Sequence, residues 1–84
     1  MKSAKLISLD RTTVTDCSIR NISKTGAQIL VESQVTVPKE FYFFQPKENV
    51  MCQAKVMWRK EKLVGIHFTS GHEPPPATMR GFRN

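Results

Sequence analysis

Asp16-Cys17-Ser18-Ile19-Arg20-Asn21-Ile22-Ser23-Lys24-Thr25-Gly26-Ala27 is the stretch on which the fold of this chain turns. From Val14 to Ile22 the residues alternate. Cys17, Ile19 and Asn21 share one face, while Asp16, Ser18 and Arg20 share the other, which is the period of a half-buried strand. Ser23-Lys24-Thr25-Gly26 then breaks the pattern with short polar side chains and a glycine. Alternation resumes over Ala27 to Glu32, where Ala27, Ile29 and Val31 face one way and Gln28, Leu30 and Glu32 the other.

Working outward, the same period recurs. Ala4 to Leu9 is a short apolar strand followed by a turn at Asp10-Arg11-Thr12. Residues Ser33 to Lys39 form a connection containing Pro38, which cannot donate to a ladder. Glu40 to Gln45 carries Phe41, Tyr42, Phe43 and Phe44, the composition of a strand buried on at least one face. After the turn Pro46-Lys47-Glu48-Asn49, residues Val50, Cys52, Ala54, Val56 and Trp58 form an apolar face. Met51, Gln53, Lys55, Met57 and Arg59 oppose them. Lys60-Glu61-Lys62 closes a hairpin, and Leu63 to Phe68 returns with Val64, Ile66 and Phe68 on one side. Six short strands joined by short turns predict an all-β, six-stranded antiparallel barrel over residues 1–70, since closure hides edges that would invite aggregation. Residues 71–84 read as a Pro-rich basic tail.

Eighty-four residues suffice for one domain and one core. Thirteen Lys and Arg against seven Asp and Glu give a net charge of +6, which favours anionic partners. Cys17 and Cys52 stand in separate alternating stretches outside any Cys-x-x-Cys, as expected of free thiols acting as small buried hydrophobes. The N-terminal residues lack a signal-peptide run, and no stretch approaches the roughly 18 apolar residues of a membrane span. A cytoplasmic protein is expected. His67 and His72 are isolated, and nothing in the sequence suggests a nucleophile–base pair or a carboxylate dyad, so neither a metal site nor an enzyme is expected.

The polar turn is the candidate binding feature. Asn21 offers an amide able to meet a base edge, Ser23 a hydroxyl able to meet a phosphate or an amide, and Gly26 close approach to the backbone. Those residue types also make ordinary turns. The run Asp16 to Ala27 resembles the PilZ signature, [Asp/Asn]-x-Ser-x-x-Gly followed by a small residue. Ala54-Lys55-Val56-Met57-Trp58-Arg59, a short loop and Gly65-Ile66-His67-Phe68 resemble the closing hairpin of the same family. The resemblance covers roughly Ala4 to Thr69. It implies a six-stranded barrel and, for many members, binding of cyclic di-GMP, with Asn21 in guanine recognition, Ser23 in a polar contact and Gly26 in backbone fit.

In members that bind this ligand, an Arg-x-x-x-Arg motif precedes the first strand and grips the phosphates. Here Lys2 and Lys5 are the cations in that region, and Arg20 is a further candidate on the neighbouring strand. Arg11 falls in the first hairpin turn and is expected to point away from the site, and Arg80 and Arg83 have the wrong spacing. The departure leaves three expectations open: weak cyclic di-GMP binding, no binding, or an arginine motif encoded upstream of Met1. Three functions follow. One is a PilZ-type receptor acting through protein contacts. Another is a degenerate PilZ adaptor that docks to a protein partner without nucleotide, with Leu30, Met51 and Met57 on its outer face. The least favoured is a single-stranded nucleic-acid binder, whose aromatic platform would be Phe41 to Phe44. Trp58 is expected in the core, and Arg59 outside it.

Overall fold

The computed structural model describes residues 2–76. Its strands are β1 (Lys2–Ser8), β2 (Val14–Ile22), β3 (Gly26–Val31), β4 (Glu40–Gln45), β5 (Val50–Lys60) and β6 (Leu63–Phe68), with a short 3-10 turn at Gln34–Thr36. They close into an antiparallel barrel in the order β1-β2-β3-β6-β5-β4. The expected all-β, six-stranded barrel is therefore present. Tight hairpins join β1 to β2, β2 to β3, β4 to β5 and β5 to β6. The longer β3–β4 connection crosses one barrel end and lets β4 pair with β1 while β3 pairs with β6.

Inward residues of all six strands make the core, including Leu6, Ile19, Ile29, Phe41, Phe43, Val64 and Ile66. Each fully buried aliphatic or phenyl side chain stabilises the fold by roughly 1.5–3 kcal/mol. The ring of Phe43 stacks on that of Phe68 at 5.7 Å. The aromatic run of β4 serves two sides at once. Phe41 and Phe43 point inward, while Phe44 joins Ile7 and Met51 in a second buried cluster. These phenyl rings are core, so they offer no platform for nucleic-acid bases. Met51 does lie off the barrel interior, as expected, but it is buried rather than presented to a partner.

Simple alternation fails at two β-bulges, where one extra residue flips those after it to the other face. In β5, Val56 pairs with Ile66 but Trp58 pairs with Gly65. Trp58 is thereby turned out of the core and is 42% exposed, contrary to the sequence expectation. Arg59, the residue after it, is exposed, as expected. Its guanidinium donates to the carbonyl of Gln34 at 3.3 Å, Gln34 Oε1 at 3.1 Å and the Val37 carbonyl at 3.0 Å. Arg59 thus ties down the β3–β4 connection. Arg11, on the β1–β2 turn, has its guanidinium 5.9 Å from the Tyr42 ring centre.

After β6 the chain continues along β5. Met51 and Glu73 exchange backbone hydrogen bonds of 2.7 and 2.9 Å, and Thr69 N donates to the Gln53 carbonyl. His72 stands edge-on to Phe68 at 4.6 Å, with Nε2 3.6 Å from Cys52 Sγ. Pro75 is buried. The first residues expected to belong to the tail therefore pack on the barrel. Arg80 and Arg83, and the remainder of that tail, lie outside the described residues.

Both cysteines are free and buried. Burial pushes the Cys17 thiol from near 9 up to about 12, with the Asp16 carboxylate adding to the rise and Lys5 opposing it. Burial alone pushes Cys52 to about 11. An unfolded chain ionises its thiols at the lower value, so the stability gained by keeping them neutral is complete below pH 9. It is lost as pH rises through about 11 and 12. Two outcomes are expected: the folded thiols resist an aromatic disulfide reagent at about pH 8 until denaturant is added, and melting temperature falls above pH 9 less steeply when both cysteines are replaced by alanine.

Candidate functional site

The second bulge lies inside the motif. Ile19 pairs with Ile29, but Asn21 pairs with Gln28, so Arg20 is the extra residue. Without it, Asn21 would face inward with Cys17 and Ile19, as simple alternation predicts. With it, Asn21 turns outward beside Gln28, and both are exposed. Turned outward, the amide is free to meet a ligand rather than being buried among apolar side chains, where it would cost stability.

The turn that follows is held by its own hydrogen bonds. Ser23 N donates to the Gly26 carbonyl at 2.8 Å. Ser23 Oγ donates to the same carbonyl at 3.3 Å and accepts from Thr25 N at 3.3 Å. Thr25 offers its carbonyl to Phe68 N at 2.8 Å. The motif serine is therefore a turn residue first, although its hydroxyl stays exposed. Gly26 is required for packing, since a Cβ there would collide with the backbone carbonyl of Ile66.

Asn21, Ser23 and Gly26 come together in one shallow hollow of about 240 Å³, completed by Ile22, Ala27, Gln28 and Ile66. The other sequence candidates stand elsewhere. Lys2 and Lys5 line a separate groove of about 920 Å³ over β1, β2 and β3. Each is paired with a carboxylate: Lys5 Nζ donates to Asp16 Oδ1 at 2.6 Å, and Lys2 Nζ lies 3.4 Å from Glu48 Oε2. Arg20 is exposed on β2 and lines neither concavity. The six candidates thus divide into a gathered trio, two lysines already neutralised, and an arginine at the bulge.

One residue beside the site was missed from sequence. Asn21 pairs with Gln28, Gln28 with Gly65 and Gly65 with Trp58, which sets the four in one row across β2, β3, β6 and β5. The Trp58 indole lies directly over Gly65, where any Cβ would collide with it. The glycine opposite it in the hairpin was the available signal. The bulge that brings the two together has no mark in the alternation.

A closed six-stranded barrel thus carries a polar motif turn between β2 and β3. The chain matches the PilZ domain family over residues 3–82 and belongs to it. That family comprises signalling domains of the cyclic di-GMP-binding type rather than enzymes. No curated protein and no solved structure matches the chain. Among the described residues, no helix is long and apolar enough to cross a membrane.

Two substitutions separate structural from ligand roles in the turn. Gly26→Ala is expected to destabilise the fold by about 1–3 kcal/mol through overpacking. Ser23→Ala should cost about 0.5–1.5 kcal/mol through lost hydrogen bonds. Urea denaturation without any ligand measures both.

Proposed function

We propose that this chain is a cytoplasmic PilZ-type receptor domain that recognises cyclic di-GMP weakly at the hollow of Asn21, Ser23 and Gly26 and acts through protein contacts. The observation that carries this reading is the outward bulge at Arg20, which puts the exposed Asn21 amide beside Ser23 and Gly26 in one hollow. One guanine meets the amide of Asn21 and the polar turn. Ser23 supplies a hydroxyl, and Gly26 fixes the turn against β6.

Weak affinity follows from the cations. Lys2 and Lys5, the lysines of β1, are already engaged with Glu48 and Asp16. Because Lys2 pairs with Ile19, residues placed ahead of β1 would run towards Arg20 and Asn21. Those same ion pairs favour a second reading, a PilZ adaptor that docks to its partner without nucleotide.

Calorimetric titration of cyclic di-GMP decides between them. Saturable heat at high micromolar ligand is expected. Asn21→Ala should cost about 0.5–1.5 kcal/mol. An Arg-x-x-x-Arg segment added ahead of Lys2 should tighten binding. Absence of heat in both the native and the extended chain would leave the adaptor reading in its place.

A further inference from the structure

The groove over β1, β2 and β3 plays no part in nucleotide recognition as described above. Its lining joins Lys2, Lys5, Lys47 and Lys62 with Asp16, Glu32 and Glu48. Ser3 pairs with Ser18 and Ser18 with Leu30, so a row of two hydroxyls and one half-buried leucine crosses its floor. Among the described residues, the groove and the motif hollow share no lining residue.

The charges argue against a phosphate ligand here. Lys5 and Lys2 are already held by Asp16 and Glu48, and drawing them to a phosphate would leave those carboxylates beside the same anion. Lys47 and Lys62 make no ion pair among the described residues. They stand on the β4–β5 and β5–β6 turns, at opposite ends of β5, a placement that suits a polymer rather than one phosphate group. The Ser3 and Ser18 hydroxyls make no side-chain hydrogen bond among the described residues, and serine can both donate to and accept from peptide groups. Every strand of the closed barrel is paired on both sides, so a partner cannot add a strand and must meet side chains.

We infer that this groove docks an extended acidic segment of a partner protein. Its carboxylates meet Lys47 and Lys62, an apolar side chain rests on Leu30, and its peptide groups meet Ser3 and Ser18. The inference deepens the proposed action through protein contacts. Because the site is separate from the motif hollow, nucleotide and partner can be held together.

Fluorescence anisotropy with two labelled peptides tests it, one built from aspartate, serine and leucine and the other with lysine in place of aspartate. The acidic peptide is expected to bind and the basic one not. Lys47→Glu with Lys62→Glu should weaken binding at least about tenfold, whereas Lys24→Glu with Lys55→Glu, the same charge change outside the groove, should alter it less than about twofold. All four lysines occupy exposed surface positions, and thermal melts confirm that both variants fold. No binding, binding of both peptides, or equal losses in the two variants would overturn the inference. Failure of the cyclic di-GMP titration would leave these results unaffected.

Discussion

The pairing of β3 with β6 holds the rest of this molecule in place. It closes the barrel, and it does so with backbones in close contact where Gly26 meets the carbonyl of Ile66. The Thr25 carbonyl accepts from Phe68 N in the same region, so the motif turn is fixed to the end of β6. Phe68 in turn stacks on Phe43 inside the barrel. The turn's position is therefore set by the core, and a ligand meeting it would meet a surface already ordered. Preorganisation of that kind lowers the entropy lost on binding.

The two bulges do the complementary work. A strictly alternating barrel would have buried Asn21 and Trp58. One added residue in β2 and another in β5 reverse both placements. The core loses little, because Ile19 and Ile29 still pair on one side, and Val56 and Ile66 on the other. What is gained is an exposed amide on β2 and an exposed indole on β5. Arg59, exposed just past the β5 bulge, secures the long β3–β4 connection through three hydrogen bonds.

These bulges also mark where the sequence stops being legible. Strand number, order of turns and most boundaries follow from period-two alternation, and β2, β4 and β6 begin and end where it places them. The trio Asn21, Ser23 and Gly26 was readable because its residue types are those a polar turn needs. The facing of Asn21 and Trp58 was not, since a bulge is a matter of inter-strand registry rather than of composition. The carboxylate partners of Lys2 and Lys5 were equally hidden. Asp16 lies on the adjacent strand, but Glu48 reaches Lys2 only because the β4–β5 turn is brought beside β1.

The segment that carries Glu73 back along β5 gives the domain a mechanical direction. β1 is hydrogen-bonded on both sides, to β2 and to β4, so tension at its end must shear two ladders at once. Residues Thr69 to Glu73 are bonded along β5 by few contacts, with His72 resting on Phe68. Tension from the C-terminal side would peel them away stepwise and uncover Phe68 before any strand of the barrel is loaded.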